Sequence, residues 1–320
     1  MDLKSIILRA LRSRKYTGMA QYEIEILYNF SRSHISEVLS SMESENIIIR
    51  TGDGRLIKRV WLRDYYPGHI DKFIRIGILR SSEYIPLISG IYSMFNDYNI
   101  KIIPFDDTVS LMDALKYEAL EFAMAPSLSQ IMYAMTSDNI KIIGAVASGG
   151  SSIIKNSNDN KRLLSSALSS MMIMSREFAR GKNLEIEFFK NPLRAVKEFK
   201  NSGYISIWEP YSTFLINNGY KKVSSYEDYL DSMPCCMVAS NPDFIARNPG
   251  VLRIKNGDYN NDILKMFYKI TGIGIKNIKE SLKNYDFKTD ISMETVYGII
   301  EKTGILMDKN KIKNVFYLNK

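Results

Sequence analysis

The chain has 320 residues, of which 45% are apolar, 24% charged and 11% aromatic; this supports a buried core and excludes disordered, collagen-like and disulfide-scaffold classes. A formal net charge of +8 permits an anionic partner without locating it, and the length accommodates two domains. Only two cysteines occur, the adjacent Cys235 and Cys236, and only two histidines, His34 and His69, so neither a disulfide framework nor a Cys/His zinc site is expected.

The opening MDLKSIILRALRSRKYTGMAQ lacks an uninterrupted apolar run followed by a small-residue cleavage site. Nowhere do 18 apolar residues run without a charge. The expectation is a cytoplasmic protein with no membrane partner. Leu3, Ile6, Ile7 and Leu11 fall at helical spacing, followed by the basic cluster Arg9, Arg12, Arg14 and Lys15, and Thr17-Gly18 ends that helix. Tyr22, Ile24, Ile26 and Leu27 support a second short helix to about Asn29. A third carries Ile35, Val38, Leu39 and Met42 on one face, with Ser31 or Ser33 as its cap. Ile47–Arg50 reads as a strand, Thr51-Gly52-Asp53-Gly54 as a hairpin turn, and Leu56–Leu62 as the returning strand.

Three helices followed by a basic hairpin resemble the winged helix-turn-helix of MarR-like regulators over residues 1–65, carried by SRSHISEVLSSMESENIIIR and TGDGRLIKRVWL. That resemblance implies DNA binding. Arg32, Ser33, His34 and Ser36 would face base edges of double-stranded DNA, and Arg55, Lys58 and Arg59 its phosphates. The plainer reading is a small helical interaction module of the same fold. Tyr65-Tyr66-Pro67-Gly68-His69 supplies turn chemistry, and residues 66–72 read as a linker.

From Phe73 strands and helices alternate. Strands are expected at 74–79, 100–103, 120–125 and 140–146, and helices at 85–95, 109–115 and 128–135. Repeated strand–helix units with short loops predict an α/β fold with mostly parallel sheets covered on both faces, ligands gathering at the strands' carboxyl ends. The stretches IRIGILRSSEYIPLISGIYSMF, IKIIPFDD, DALKYEALEFAMAPSLSQIM and IKIIGAVASGGSSII, with GYISIWEPYSTFL and CCMVASNPDFIARNPGVL further on, resemble the type II periplasmic-binding-protein-like family. Within it they look closest to the branch of nitrate, sulfonate and taurine binders and thiamine-pyrimidine-precursor relatives. The likeness covers most of residues 73–270; Lys255–Asn261 and the Lys-rich tail after Gly274 depart from it.

The resemblance implies two lobes joined by two crossing strands, near Ala147-Ser148 and Pro234–Val238. Lobe one would be 73–147 plus 238–320 and lobe two 148–237. Residues following each strand are the ligand candidates: Ser81, Ser82, Tyr84, Asp106, Pro126 and Ser127 on the first lobe, and Ser148, Gly149, Gly150, Ser169, Ser170, Trp208 and Glu209 on the second. Any one serine reads equally as a cap or turn residue, and Trp208 as pocket or core. Cys235 and Cys236 read as small core thiols near the hinge in preference to redox sensors.

The large segment has no histidine, no HExxH, no GxxxxGK and no G-x-S-x-G. The pyrimidine-synthase relatives combine a cysteine-rich motif with a lysine and histidines; the histidines are missing here, so that activity is not supported. No catalytic residue, cofactor or metal is expected. The combination predicts a ligand-responsive transcriptional regulator, a homodimer whose clamp senses a small polar or anionic metabolite, pyrimidine-like among the options. The alternative is an enzyme or solute-binding protein of the same fold whose winged helix does not bind DNA.

Overall fold

The first helix, α1 (Leu3–Ser13), begins where the Asp2 side chain accepts the Ser5 N–H at 2.8 Å, and it buries Leu3, Ile7 and Leu11 along one stripe. The structure is a computed structural model and describes residues 2–52, 58–158, 160–231, 233–288 and 291–317. β1 (Met19–Ala20), α2 (Gln21–Tyr28), α3 (Arg32–Ser44), β2 (Ile48–Thr51) and β3 (Arg59–Leu62) follow. Ser31 is the cap of α3, accepting from the His34 N–H, and Ile35, Leu39 and Met42 are the buried face. β1 is too short to show a period in sequence. It pairs antiparallel with β3, which pairs with β2. Gly18, at φ +58°, makes that approach possible, because a Cβ there would lie 2.6 Å from the Val60 carbonyl oxygen. Asp53, Gly54 and Arg55, the expected wing turn and one of its cations, lie outside the described residues.

Contacts divide the chain into one unit of residues 1–71 with 117–120 and another of 72–116 with 121–320. Residues 66–71 of the stretch expected as a linker fall within the first unit, where Tyr66 packs edge-on against Trp61 at 5.5 Å.

The second unit opens with β4 (Phe73–Ile78), α4 (Ile85–Met94), β5 (Asn99–Pro104), α5 (Thr108–Lys116), β6 (Phe122–Pro126), α6 (Ser127–Thr136) and β7 (Lys141–Gly149). β4 and β6 are buried at every position, which is why they read as continuous apolar runs. Then come β8 (Ser151–Lys155), β9 (Arg162–Ser166), α7 (Ser170–Ala179), β10 (Glu185–Phe189), α8 (Pro192–Glu198), β11 (Tyr204–Trp208), α9 (Tyr211–Asn217), β12 (Lys221–Ser225) and α10 (Glu227–Leu230). β13 (Pro234–Ser240) returns to the first sheet, followed by α11 (Pro242–Arg247), α12 (Asn261–Thr271), α13 (Ile275–Ser281), β14 (Tyr285–Asp286), α14 (Met293–Thr303) and α15 (Lys309–Asn314).

Among the described residues these strands form two sheets, ordered β14-β7-β13-β6-β4-β5 and β10-β9-β11-β8-β12. β4 runs parallel to β5 and β6, and β9 parallel to β10 and β11; β13 and β8 run antiparallel to both of their neighbours. The sheets are therefore mixed, which corrects the expectation of mostly parallel ones. The reason is the connection. β8 starts from the first lobe and β13 comes back from the second, so each enters its sheet from the end at which the parallel strands stop.

The first crossing is Gly149-Gly150, at φ +83° and +68°, and a Cβ on Gly150 would fall 1.8 Å from the Tyr285 ring. β7 stays in the first sheet through Gly149, and β13 joins it from Pro234. Cys235 and Cys236 thus stand on the first sheet at its hinge end. In the same lobe Arg75 and Glu121, 0% and 2% exposed, form a bidentate pair, with Nη2 to Oε1 at 2.8 Å and Nε to Oε2 at 3.0 Å.

Candidate functional site

Four parallel strands end at one place between the two sheets. From β4 the turn into α4 brings Leu79, Ser81, Glu83 and Tyr84, and the end of β6 brings Pro126. β9 ends on Ser166, ahead of Ser170 and Met171 of α7, and β11 ends on Trp208. Ser151 of β8, Tyr285 of β14 and the pair Cys235-Cys236 complete the lining. This is where open α/β sheets place ligands. The space enclosed is about 20 Å³, room for one water molecule or a bare ion. Hydrogen bonds bridge the two halves around it. Trp208 Nε1 donates to the Arg80 carbonyl at 2.9 Å, Ser81 Oγ to the Glu209 carbonyl at 3.1 Å, and Ser129 Oγ to the Leu168 carbonyl at 2.6 Å.

At the floor is a buried cluster. Cys235 Sγ donates to Glu83 Oε2 at 2.8 Å and Cys236 Sγ to Glu83 Oε1 at 3.1 Å, while Cys236 Sγ also meets the Tyr84 hydroxyl at 3.6 Å. Successive residues of a regular strand point to opposite faces, so two neighbouring cysteines would not reach one carboxyl. Here Pro234 faces Ser148 and Cys236 faces Ala147, leaving Cys235 as the extra residue of a bulge in the β13–β7 pairing. Burial pushes the Glu83 carboxyl above its usual range, an effect the thiol and hydroxyl donors offset in part. Burial also moves the Cys236 thiol up to about 11, and the hydrogen bond that Cys235 donates to Cys236, followed by burial, raises Cys235 well above the normal thiol range.

Of the sequence candidates, Ser81, Tyr84, Pro126, Ser170 and Trp208 meet in this lining. The others have structural partners. Ser82 Oγ is held at 2.9 Å by Ser281 Oγ, Ser127 Oγ donates to the Pro234 carbonyl, and Ser169 Oγ donates to the Ser166 carbonyl. Asp106 pairs with Arg80 at 2.8 Å near the surface. Ser148 and Gly149 belong to β7, their backbones paired with β14. Gly150 and Glu209 border an adjoining open cleft of about 320 Å³, where Lys222, Glu227, Lys283 and Asp286 mix both signs of charge. The Glu209 carboxyl accepts from the Thr213 N–H at 2.9 Å and from Asn284 Nδ2 at 2.7 Å, and burial raises it to about 7. Trp208 is both wall and core, since it packs with Met171, Ile207 and Tyr211. Sequence reasoning missed Glu83, Met171, Tyr285 and the convergence of the two thiols. Glu83 lies in the same turn as the serines it singled out; Tyr285 carried no signal.

In the first unit, Arg32 reaches Glu25 at 3.6 Å, and Arg59 Nη1 donates to the Thr17 carbonyl at 2.5 Å. Ser33, His34 and Lys58 are exposed and Ser36 is half-buried. Arg59 is thus engaged within the unit itself, while the Arg32 side chain stays 86% exposed.

No family model and no curated protein matches the chain. Solved structures do. The alkanesulfonate-binding protein of Xanthomonas axonopodis pv. citri, bound to MOPS, is 12% identical with a TM-score of 0.58, covering 79% of this chain and 100% of that one. The periplasmic nitrate-binding protein of Synechocystis PCC 6803 is 10% identical with a TM-score of 0.59, over 77% of this chain and 86% of that one. A zinc-bound ligand-binding component of an ABC-type import system from Staphylococcus aureus is 14% identical with a TM-score of 0.56, over 76% and 91%.

These neighbours overturn the expectation of a transcriptional regulator whose partner is double-stranded DNA. They are named as solute-binding proteins and not as regulators that read DNA. The expected cytoplasmic location is overturned too: the aliphatic sulphonate-binding protein of Escherichia coli and the nitrate-binding protein, both of this fold, are periplasmic. The homodimer loses its motive too, having been inferred from one DNA-reading head per chain. Over about three quarters of its length the chain has the type II periplasmic-binding-protein fold.

Proposed function

We propose that residues 72–320 are a solute-binding clamp, and that the pocket between its sheets takes a small neutral or cationic solute. The observation carrying this reading is the lining itself: it draws on both lobes and contains one carboxyl group but no lysine, arginine or histidine. An anion there would face Glu83 with no counter-charge, at a large desolvation cost. The expected preference for an anionic metabolite therefore gives way. Tyr84, Trp208 and Tyr285 offer ring faces, which attract positive charge. Closure follows from population shift, the solute favouring the latched state by the contacts it makes with both lobes at once. The first unit follows the helix and strand order of a winged helix, and we read it as a module that does not grip DNA.

The test is the rise in melting temperature of the full chain across a panel of small amines, neutral solutes, sulfonates and nitrate. Neutral or cationic members should stabilise it, and Trp208→Ala should abolish the effect. Stabilisation by sulfonate or nitrate, or an undiminished effect in Trp208→Ala, contradicts the assignment.

A further inference from the structure

We propose that Glu83, Cys235 and Cys236 form a binding site for a thiophilic d10 metal cation, of the zinc, cadmium or cuprous class. Their donor atoms all lie within 4.8 Å of one another, and each residue is buried. Bonds of about 2.0–2.3 Å to a tetrahedral centre set donors roughly 3.3–3.8 Å apart, so the thiol–carboxyl contacts of 2.8 and 3.1 Å need to lengthen by only a fraction of an ångström.

Three independent features point to a cation in particular. First, Glu83 is a carboxyl group 4% exposed, and among the described residues no ion pair reaches it. Its acid oxygens accept from two thiols, which are weak donors, and the Ser81 and Tyr84 hydroxyls assist them. A buried carboxyl held by neutral donors alone is a favourable place for positive charge. Second, the bulge at Cys235 turns two consecutive thiols toward that single carboxyl, a geometry a regular strand forbids. A small apolar core would be packed as well by an unbulged strand. Third, the adjacent space of about 20 Å³ is the size of one ion. Met171 lines the same space from the other lobe and offers a fourth donor, soft like the thiols; Ser151 Oγ holds its sulfur at 3.1 Å. Two thiolates, a carboxylate and a thioether favour a soft or borderline metal over magnesium or calcium, which prefer oxygen.

Binding involves no redox change. The cation forms two metal–sulfur bonds and one metal–oxygen bond, and each thiol releases its proton to solvent. The site deepens the solute-binding reading by naming the cargo as a metal cation, with Met171 of the second lobe tying occupancy to closure. The two ideas fail separately, since Trp208 is not a metal donor and the thiols are not part of the latch.

The experiment titrates the reduced full-length protein with cadmium ion alone, recording thiolate-to-metal charge-transfer absorbance and cadmium-113 resonance. One equivalent per chain should bind with a sulfur-rich signature. Glu83→Gln should weaken binding about tenfold or more. Cys235→Ala/Cys236→Ala should remove the absorbance while far-ultraviolet dichroism shows a folded chain. The cadmium-113 shift of the unaltered protein needs no variant, and so decides the matter even if the double variant unfolds. Absence of a stoichiometric sulfur-rich cadmium signal overturns the site, as does full binding by the folded double variant. Stabilisation by an organic solute without cadmium binding overturns the metal assignment and leaves the clamp standing.

Discussion

Glu209 makes stability fall as pH rises, and Glu209→Gln should remove that dependence. The carboxyl is 2% exposed, and burial lifts it from an ordinary 4.5 to about 7, with the Thr213 N–H and Asn284 opposing the rise. The folded chain thus keeps this proton up to near neutrality, whereas the unfolded chain releases it near 4.5. Between those values the folded state binds more protons, so stability is full below about pH 4.5 and is lost as pH climbs through 7. The interval of two and a half pH units corresponds to roughly 3 kcal/mol as an upper figure. Glu83, raised by burial as well, changes stability in the same direction, so the comparison with the variant isolates Glu209. Urea midpoints for both proteins at pH 5 and pH 8 provide the assay. The unaltered chain should lose about 2–3 kcal/mol more than the variant over that span. Equal losses, or a gain in stability with pH, refute the reasoning.

Two further outcomes follow from the packing. Glu121→Ala strands the fully buried Arg75 guanidinium without its carboxylate and should cost about 3–5 kcal/mol in urea unfolding; a loss below about 1 kcal/mol contradicts a tight buried pair. Gly150→Ala places a methyl group against the Tyr285 ring at a left-handed backbone position, and should cost about 2 kcal/mol or more by the same assay. A neutral result there would mean that the crossing relaxes freely.

The alternation from Phe73 to Gly149 was legible because its central strands are buried on both faces and read as runs of Ile, Val, Ala and Phe bounded by turn residues. The Ser31 cap was legible for a local reason, a hydroxyl three residues before the N–H it satisfies. Direction was not legible. An apolar run is the same read up or down a sheet, so the antiparallel entry of β8 and β13 had to come from the three-dimensional connection. β1 was invisible because two residues carry no period. The cluster of Glu83 with Cys235 and Cys236 escaped notice because it joins positions more than 150 residues apart and depends on one extra residue in one strand. Five candidates chosen only because they follow strands did meet at the pocket. Asp106 and Ser127 obeyed the same rule but were taken by Arg80 and by the Pro234 carbonyl.

Hinged lobes that close over a solute have a direct physical signature in the distance between them. Spin labels placed by Val109→Cys on α5 and Arg176→Cys on α7, both exposed, report it by pulsed electron resonance with the buried native thiols left in place. Removing two latches with Trp208→Phe and Ser81→Ala should add a population at longer distance to the single short one of the latched protein. One narrow distance, identical with and without the latches, would show a rigid body and contradict the clamp.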